Sequence, residues 1–147
     1  MLHALSSIAR AVAKGTEATE KAVQRLMGCA CSSPGAEAKF RASGMIIQPD
    51  SDAAYLAEPS ARSRAGGLRF LGSKERAMLS GPAHVLAKAA KAAMASAMEA
   101  EMKALLMNAQ LLAGHRQALE DMGHPQPPTR ARAGSKPAHG ALAGTMK

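Results

Sequence analysis

The stretch Met94-Ala95-Ser96-Ala97-Met98-Glu99-Ala100-Glu101-Met102-Lys103-Ala104-Leu105, continued by Leu106-Met107-Asn108-Ala109-Gln110-Leu111-Leu112 and on to Met122, carries the most regular pattern in the chain. Met94, Met98, Met102, Leu105, Leu112 and Leu119 recur at helical steps, so the spacing predicts one long amphipathic α-helix. Gly123 and Pro125 end it, since glycine accepts the left-handed turn after a helix and proline cannot extend one. Glu101 breaks the pattern. It follows Met98 by three residues and precedes Leu105 by four, which sets its carboxylate on or beside the apolar stripe. A bare carboxylate directed at a core costs several kcal/mol by order of magnitude, so it must be paired, protonated or bound to a metal. Glu99 differs, because Lys103 lies four residues on, on the solvated side.

Upstream the period changes to that of strands. Met45 to Ile47 and Ala53 to Leu56 flank Asp50-Ser51-Asp52, and Leu68-Arg69-Phe70-Leu71 reads as a returning strand. Between them, Glu58-Pro59 to Gly66-Gly67 has loop and hairpin chemistry, the paired glycines being suited to positive φ. After the break at Gly81-Pro82, Ala83 to Leu86 forms a candidate third strand, although the alanines through Ala93 favour helix. Asp52 on such a strand, facing Glu101 on the helix, is the start of an oxygen-ligand site for Mg²⁺. Two such ions clamp the attacking and leaving oxygens of a phosphodiester displacement. The five histidines, at positions 3, 84, 115, 124 and 139, pair no base with a nucleophile.

The N-terminal residues read as two helices. Leu2, Leu5, Ile8 and Val12 lie near helical spacing with Arg10 and Lys14 and no acid before Glu17, which also has the look of a mitochondrial presequence. A second helix spans Ala18 to Met27, starting near Thr16 and capped by Gly28. Cys29 and Cys31, one residue apart, suit neither a disulfide nor a zinc knuckle and read as free thiols. From Gln126 to Lys147 there is neither an acid nor a period, so 130–147 reads as a disordered basic tail.

Composition limits what such elements can build. Of 147 residues 34 are Ala, whereas Leu, Ile, Val and Phe together number 22, with no Trp and one Tyr. A large aromatic core is therefore excluded. A formal charge of +8 favours polyanionic partners, and no apolar run is long enough to span a membrane.

At these residues the chain resembles a known family. Gln48-Pro49-Asp50-Ser51-Asp52-Ala53-Ala54-Tyr55-Leu56 followed by Glu58-Pro59-Ser60-Ala61-Arg62-Ser63-Arg64-Ala65-Gly66-Gly67 resembles the first hairpin of the ribonuclease H domain in copia-type retrotransposon Pol polyproteins. Gly81-Pro82, Met94-Ala95-Ser96-Ala97-Met98-Glu99-Ala100-Glu101, Asn108-Ala109 and the segment Arg116 to Thr129, ending Gly123-His124-Pro125-Gln126-Pro127-Pro128-Thr129, follow that family in order. Leu2-His3-Ala4-Leu5 through Phe40-Arg41-Ala42-Ser43-Gly44-Met45 is similar to the segment joining reverse transcriptase to it. The resemblance implies an α/β, ribonuclease H-like fold, truncated here to a three-stranded antiparallel meander plus a long helix and preceded by N-terminal helices. It divides the chain into a helical connection at 1–44, a partial ribonuclease H-like domain at 45–129, and the tail. It also implies cleavage of RNA in RNA·DNA hybrids by four carboxylates and two metal ions, with Asp52 and Glu101 in the first two ligand positions. The family's fourth strand carries the third carboxylate after the Pro-Pro-Thr turn, whereas here Arg130-Ala131-Arg132-Ala133-Gly134 follows and no acid occurs after Asp121.

The expectation is therefore a truncated or frame-shifted remnant that binds Mg²⁺ weakly or not at all and does not cleave. Its expected partners are an RNA·DNA hybrid, the parent's reverse transcriptase region, and a second copy of itself through exposed apolar faces. The competing reading is a non-enzymatic basic binder in which Arg62, Arg64 and Arg69, with Arg130, Arg132, Lys136 and Lys147 of the tail, contact phosphates without reading sequence. A remnant without function is the third.

Overall fold

The computed structural model describes residues 1–74 and 80–134. The chain forms two compact units, Met1–Glu37 and the part from Ala38 onward.

In the first unit, α1 (Leu2–Ala11) leads through a 3-10 turn (Val12–Lys14) to α2 (Glu17–Cys31). The start of α2 is fixed by a reciprocal cap: Thr19 N–H donates to Thr16 Oγ1 and Thr16 N–H to Thr19 Oγ1, each at 3.3 Å. Its end corrects the expected cap at Gly28. The helix runs through that glycine to Cys31, and the Ser32 hydroxyl closes it by donating to Cys29 O at 2.9 Å. Neither helix buries a residue, and Leu2, Leu5, Val12, Val23 and Met27 stay exposed.

The second unit is a sheet of order β3-β2-β1-β4 with one helix. The strands are β1 (Ile46–Glu58), β2 (Arg62–Gly72), β3 (Pro82–Ala93) and β4 (Arg132–Ala133), and α3 spans Ala97–Asp121. The strands β1, β2 and β3 form the expected antiparallel meander. The expected turn at Gly66-Gly67 is corrected: both glycines lie within β2, and the reversal falls at Pro59–Ala61, where Ser60 and Ala61 take positive φ. Alanines 87–93 join β3 despite their helical preference, because β2 offers them a ladder of hydrogen-bond partners.

The expected disordered tail is corrected at its start. Arg132 and Ala133 pair in parallel with Asp50 and Ser51, forming a fourth strand on the free edge of β1. Residues 135–147 of that tail, including Lys136 and Lys147, lie outside the described residues. Two side chains guide the segment into place. Gln126 Oε1 accepts from Ile47 N–H at 3.0 Å while its Nε2 donates to Met45 O at 2.9 Å, so an amide side chain extends the edge pairing of β1. Arg116 on α3 donates to Gln126 O, Pro127 O and Thr129 Oγ1, pinning the proline turn.

The helix packs across β1 and β2. Ser96 caps it by accepting from Glu99 N–H at 3.1 Å, and Glu99 reaches back to accept from Ala95 N–H at 2.6 Å. Its buried face is Ala100, Glu101, Ala104, Asn108, Leu112 and Leu119, while Met98, Met102 and Leu105 stand at its margins, half-buried. Small residues let the helix sit close to the strands, which displaces the methionine stripe sideways. The core accordingly divides into three small clusters, centred on Ile47, Leu112 and Leu119, on Ala65, Leu86 and Ala104, and on Ala90, Met94 and Ala100.

Candidate functional site

Three residues on α3, seven apart, organise the helix–sheet interface. Asn108 is the central one. Its Nδ2 donates to Ser51 Oγ at 3.0 Å, Gly66 O at 2.9 Å and Ala104 O at 3.0 Å, and its Oδ1 accepts from Arg69 Nη2 at 3.0 Å. A Cβ on Gly67 would stand 2.0 Å from that Oδ1, so the bare backbone of Gly67 is required for this approach.

Seven residues before Asn108 lies Glu101, 9% exposed. Its carboxyl meets Asp52 on β1, the pair that the sequence singled out. Burial raises the Glu101 pKa, the charge of Asp52 raises it further, the Ala53 backbone N–H opposes the rise, and a hydrogen bond shared with Asp52 adds to it. Glu101 Oε2 is buried with no hydrogen-bond partner. Asp52 itself is exposed. The pairing of β4 with β1 brings Gly134 alongside, where a Cβ would sit 3.4 Å from Asp52 Oδ1. Any side chain at 134 would thus start against the acid pair, and glycine presents none.

Two carboxylates and an orphaned buried oxygen suit a hard cation in ligand type. They fall short in number for two ions. Among the described residues no three His, Cys, Asp or Glu side chains are grouped so as to hold a metal ion.

Seven residues after Asn108 lies His115, whose ring packs on His84 of β3 at a centroid separation of 4.9 Å. Arg69 of β2 lies between helix and sheet, 1% exposed, with Nη1 against His84 Nδ1 and Nη2 on Asn108. The sequence showed no pattern among the histidines, because the β2–β3 register that sets Arg69 opposite His84 is a property of the hairpin.

The basic set expected to contact phosphates is corrected in two positions. Arg64 is buried, its Nε on Glu58 Oε1 at 2.5 Å and its Nη1 on Ala87 O at 3.1 Å. Arg69 is buried as described. Neither reaches a surface phosphate, because Arg64 is held on Glu58 and Ala87 O and Arg69 against His84 and Asn108. Arg62 is half-buried, and Arg130 and Arg132 are exposed. Cys29 and Cys31 are exposed at the end of α2. No described helix is long and apolar enough to cross a membrane.

No protein-family model, curated protein or solved structure matches the chain.

Proposed function

We propose that the chain is a remnant of a copia-type ribonuclease H domain that keeps the first two carboxylates, Asp52 and Glu101, and has lost hybrid cleavage. The observation that carries this reading is the convergence at Asp52: an antiparallel meander, a helix that brings Glu101 to it, and a short parallel strand, Arg132–Ala133, after which Gly134 lies beside it. That is the arrangement the resemblance implies for its first three ligand positions. Here the third is Gly134, so a missing side chain, with the strand still paired, accounts for the loss.

When bound, Mg²⁺ would supply Lewis-acid stabilisation of the oxygens in phosphodiester hydrolysis. Asp52 and Glu101 would hold it. Burial and the charge of Asp52 raise the Glu101 pKa, so cation binding there competes with protonation. Exposed Arg132 on β4 and Arg130 just before it would neutralise backbone phosphates of an RNA·DNA hybrid without reading its sequence. The uncovered Leu2, Leu5, Val12, Val23 and Met27 of the first unit are the surface that the parent's reverse transcriptase region would cover.

The test is incubation of the chain with an end-labelled RNA·DNA hybrid in millimolar Mg²⁺, beside Asp52→Asn. No cleavage by either protein is expected. Mg²⁺-dependent turnover that Asp52→Asn abolishes would overturn the inactivity.

A further inference from the structure

The basic end of α3 carries a second, independent inference. Arg69 is a permanent cation, 1% exposed, and no carboxylate among the described residues pairs with it. A buried charge without a counter-ion costs several kcal/mol by order of magnitude, and Arg69 Nε has no hydrogen-bond partner at all. Arginine only donates, so His84 Nδ1 must accept from Arg69 Nη1. His84 is then neutral, with its proton on Nε2, a further donor. Burial and the charge of Arg69 lower the pKa of His84 and of His115. The three groups, from β2, β3 and α3, border one cavity of about 200 Å³ whose other walls include Leu71, Leu119 and Met122.

We infer that this cavity binds a small aliphatic monocarboxylate, its carboxylate on Arg69, His84 and His115 and its carbon chain against Leu71, Leu119 and Met122. Arg69 can only donate and His84 keeps its Nε2–H, which selects an acceptor head group. One fixed positive charge balances one negative, which favours a carboxylate over a dianionic phosphate. The apolar walls supply the remaining affinity by desolvation, as in most small-molecule pockets.

Isothermal titration of the whole chain with sodium butyrate, butyramide and inorganic phosphate at matched ionic strength tests this, in wild type, Arg69→Met and Ala118→Leu. Ala118 borders the cavity from the exposed side of α3, so the leucine fills the space while leaving Arg69 in place. Saturable one-to-one binding of butyrate is expected, with butyramide and phosphate weaker. Loss of a charge-assisted bond or of the space should weaken butyrate about tenfold or more in both variants. If Arg69→Met does not fold, Ala118→Leu alone decides. Absence of saturable butyrate binding, equal binding of butyramide, tighter binding of phosphate, or wild-type affinity in Ala118→Leu would each overturn the assignment.

Discussion

The two ends of the α3–sheet interface, about 21 Å apart along the helix, are opposites built on one frame. At the Glu101 end two acidic groups meet with no described cation between them, and one buried oxygen is orphaned. At the His115 end an arginine and two histidines meet with no described acid, and one buried N–H is orphaned. Between them Asn108 satisfies donor and acceptor together. Each end thus leaves a buried polar atom unsatisfied, while the neutral centre is bonded on both its donor and its acceptor side.

The centre is where the comparison breaks most sharply. Gly67→Ala drives a Cβ into Asn108 Oδ1, and a cost of about 3 kcal/mol is expected in denaturant unfolding. Asn108→Ala removes the side-chain bridge to Ser51 and Gly66 and one of the two Asn108 acceptors of Arg69 Nη2, at about 2 kcal/mol. The double variant should cost clearly less than the sum, because the alanine at 108 removes the clash. Strict additivity would mean that Asn108 does not anchor the helix.

Smaller effects sharpen the acid end. The folded-state pKa of Glu101 lies above its ordinary value, so folding favours the protonated form. That contribution is complete below the ordinary glutamate range and is lost as pH rises through the raised value. Glu101→Gln should therefore raise the melting temperature at pH 7 and leave it unchanged at low pH. A loss of stability at pH 7 would mean that a cation already neutralises the pair.

How much of this was legible depended on which residues carried it. The long helix, the meander and the Asp52–Glu101 pairing came from periodicity and from the collinear resemblance. The phase of α3 did not, because hydrophobicity points to the large methionines, whereas close packing on a flat sheet selects Ala100 and Ala104. Gly66-Gly67 looked like a turn because paired glycines usually supply positive φ, but here Gly67 makes room for a side chain from another element. Arg64 and Arg69 looked like surface charge because arginine is rarely buried, and only the strand register reveals Glu58 and His84 beside them. β4 was invisible locally, since Arg132-Ala133 has no strand propensity and is held by Gln126 and Arg116 from elsewhere.

The most direct test of the acid end is a Mn²⁺ titration followed by paramagnetic broadening of amide resonances, in wild type, Gly134→Asp and Asp52→Asn. Wild type should bind weakly, with broadening centred on Asp52 and Glu101. Gly134→Asp, which sets a third carboxylate against Asp52 Oδ1, should bind about tenfold or more tightly at the same place, and Asp52→Asn should lose the effect. Broadening centred elsewhere, or no gain from the third carboxylate, would contradict a ribonuclease H-like site built on Asp52, Glu101 and position 134.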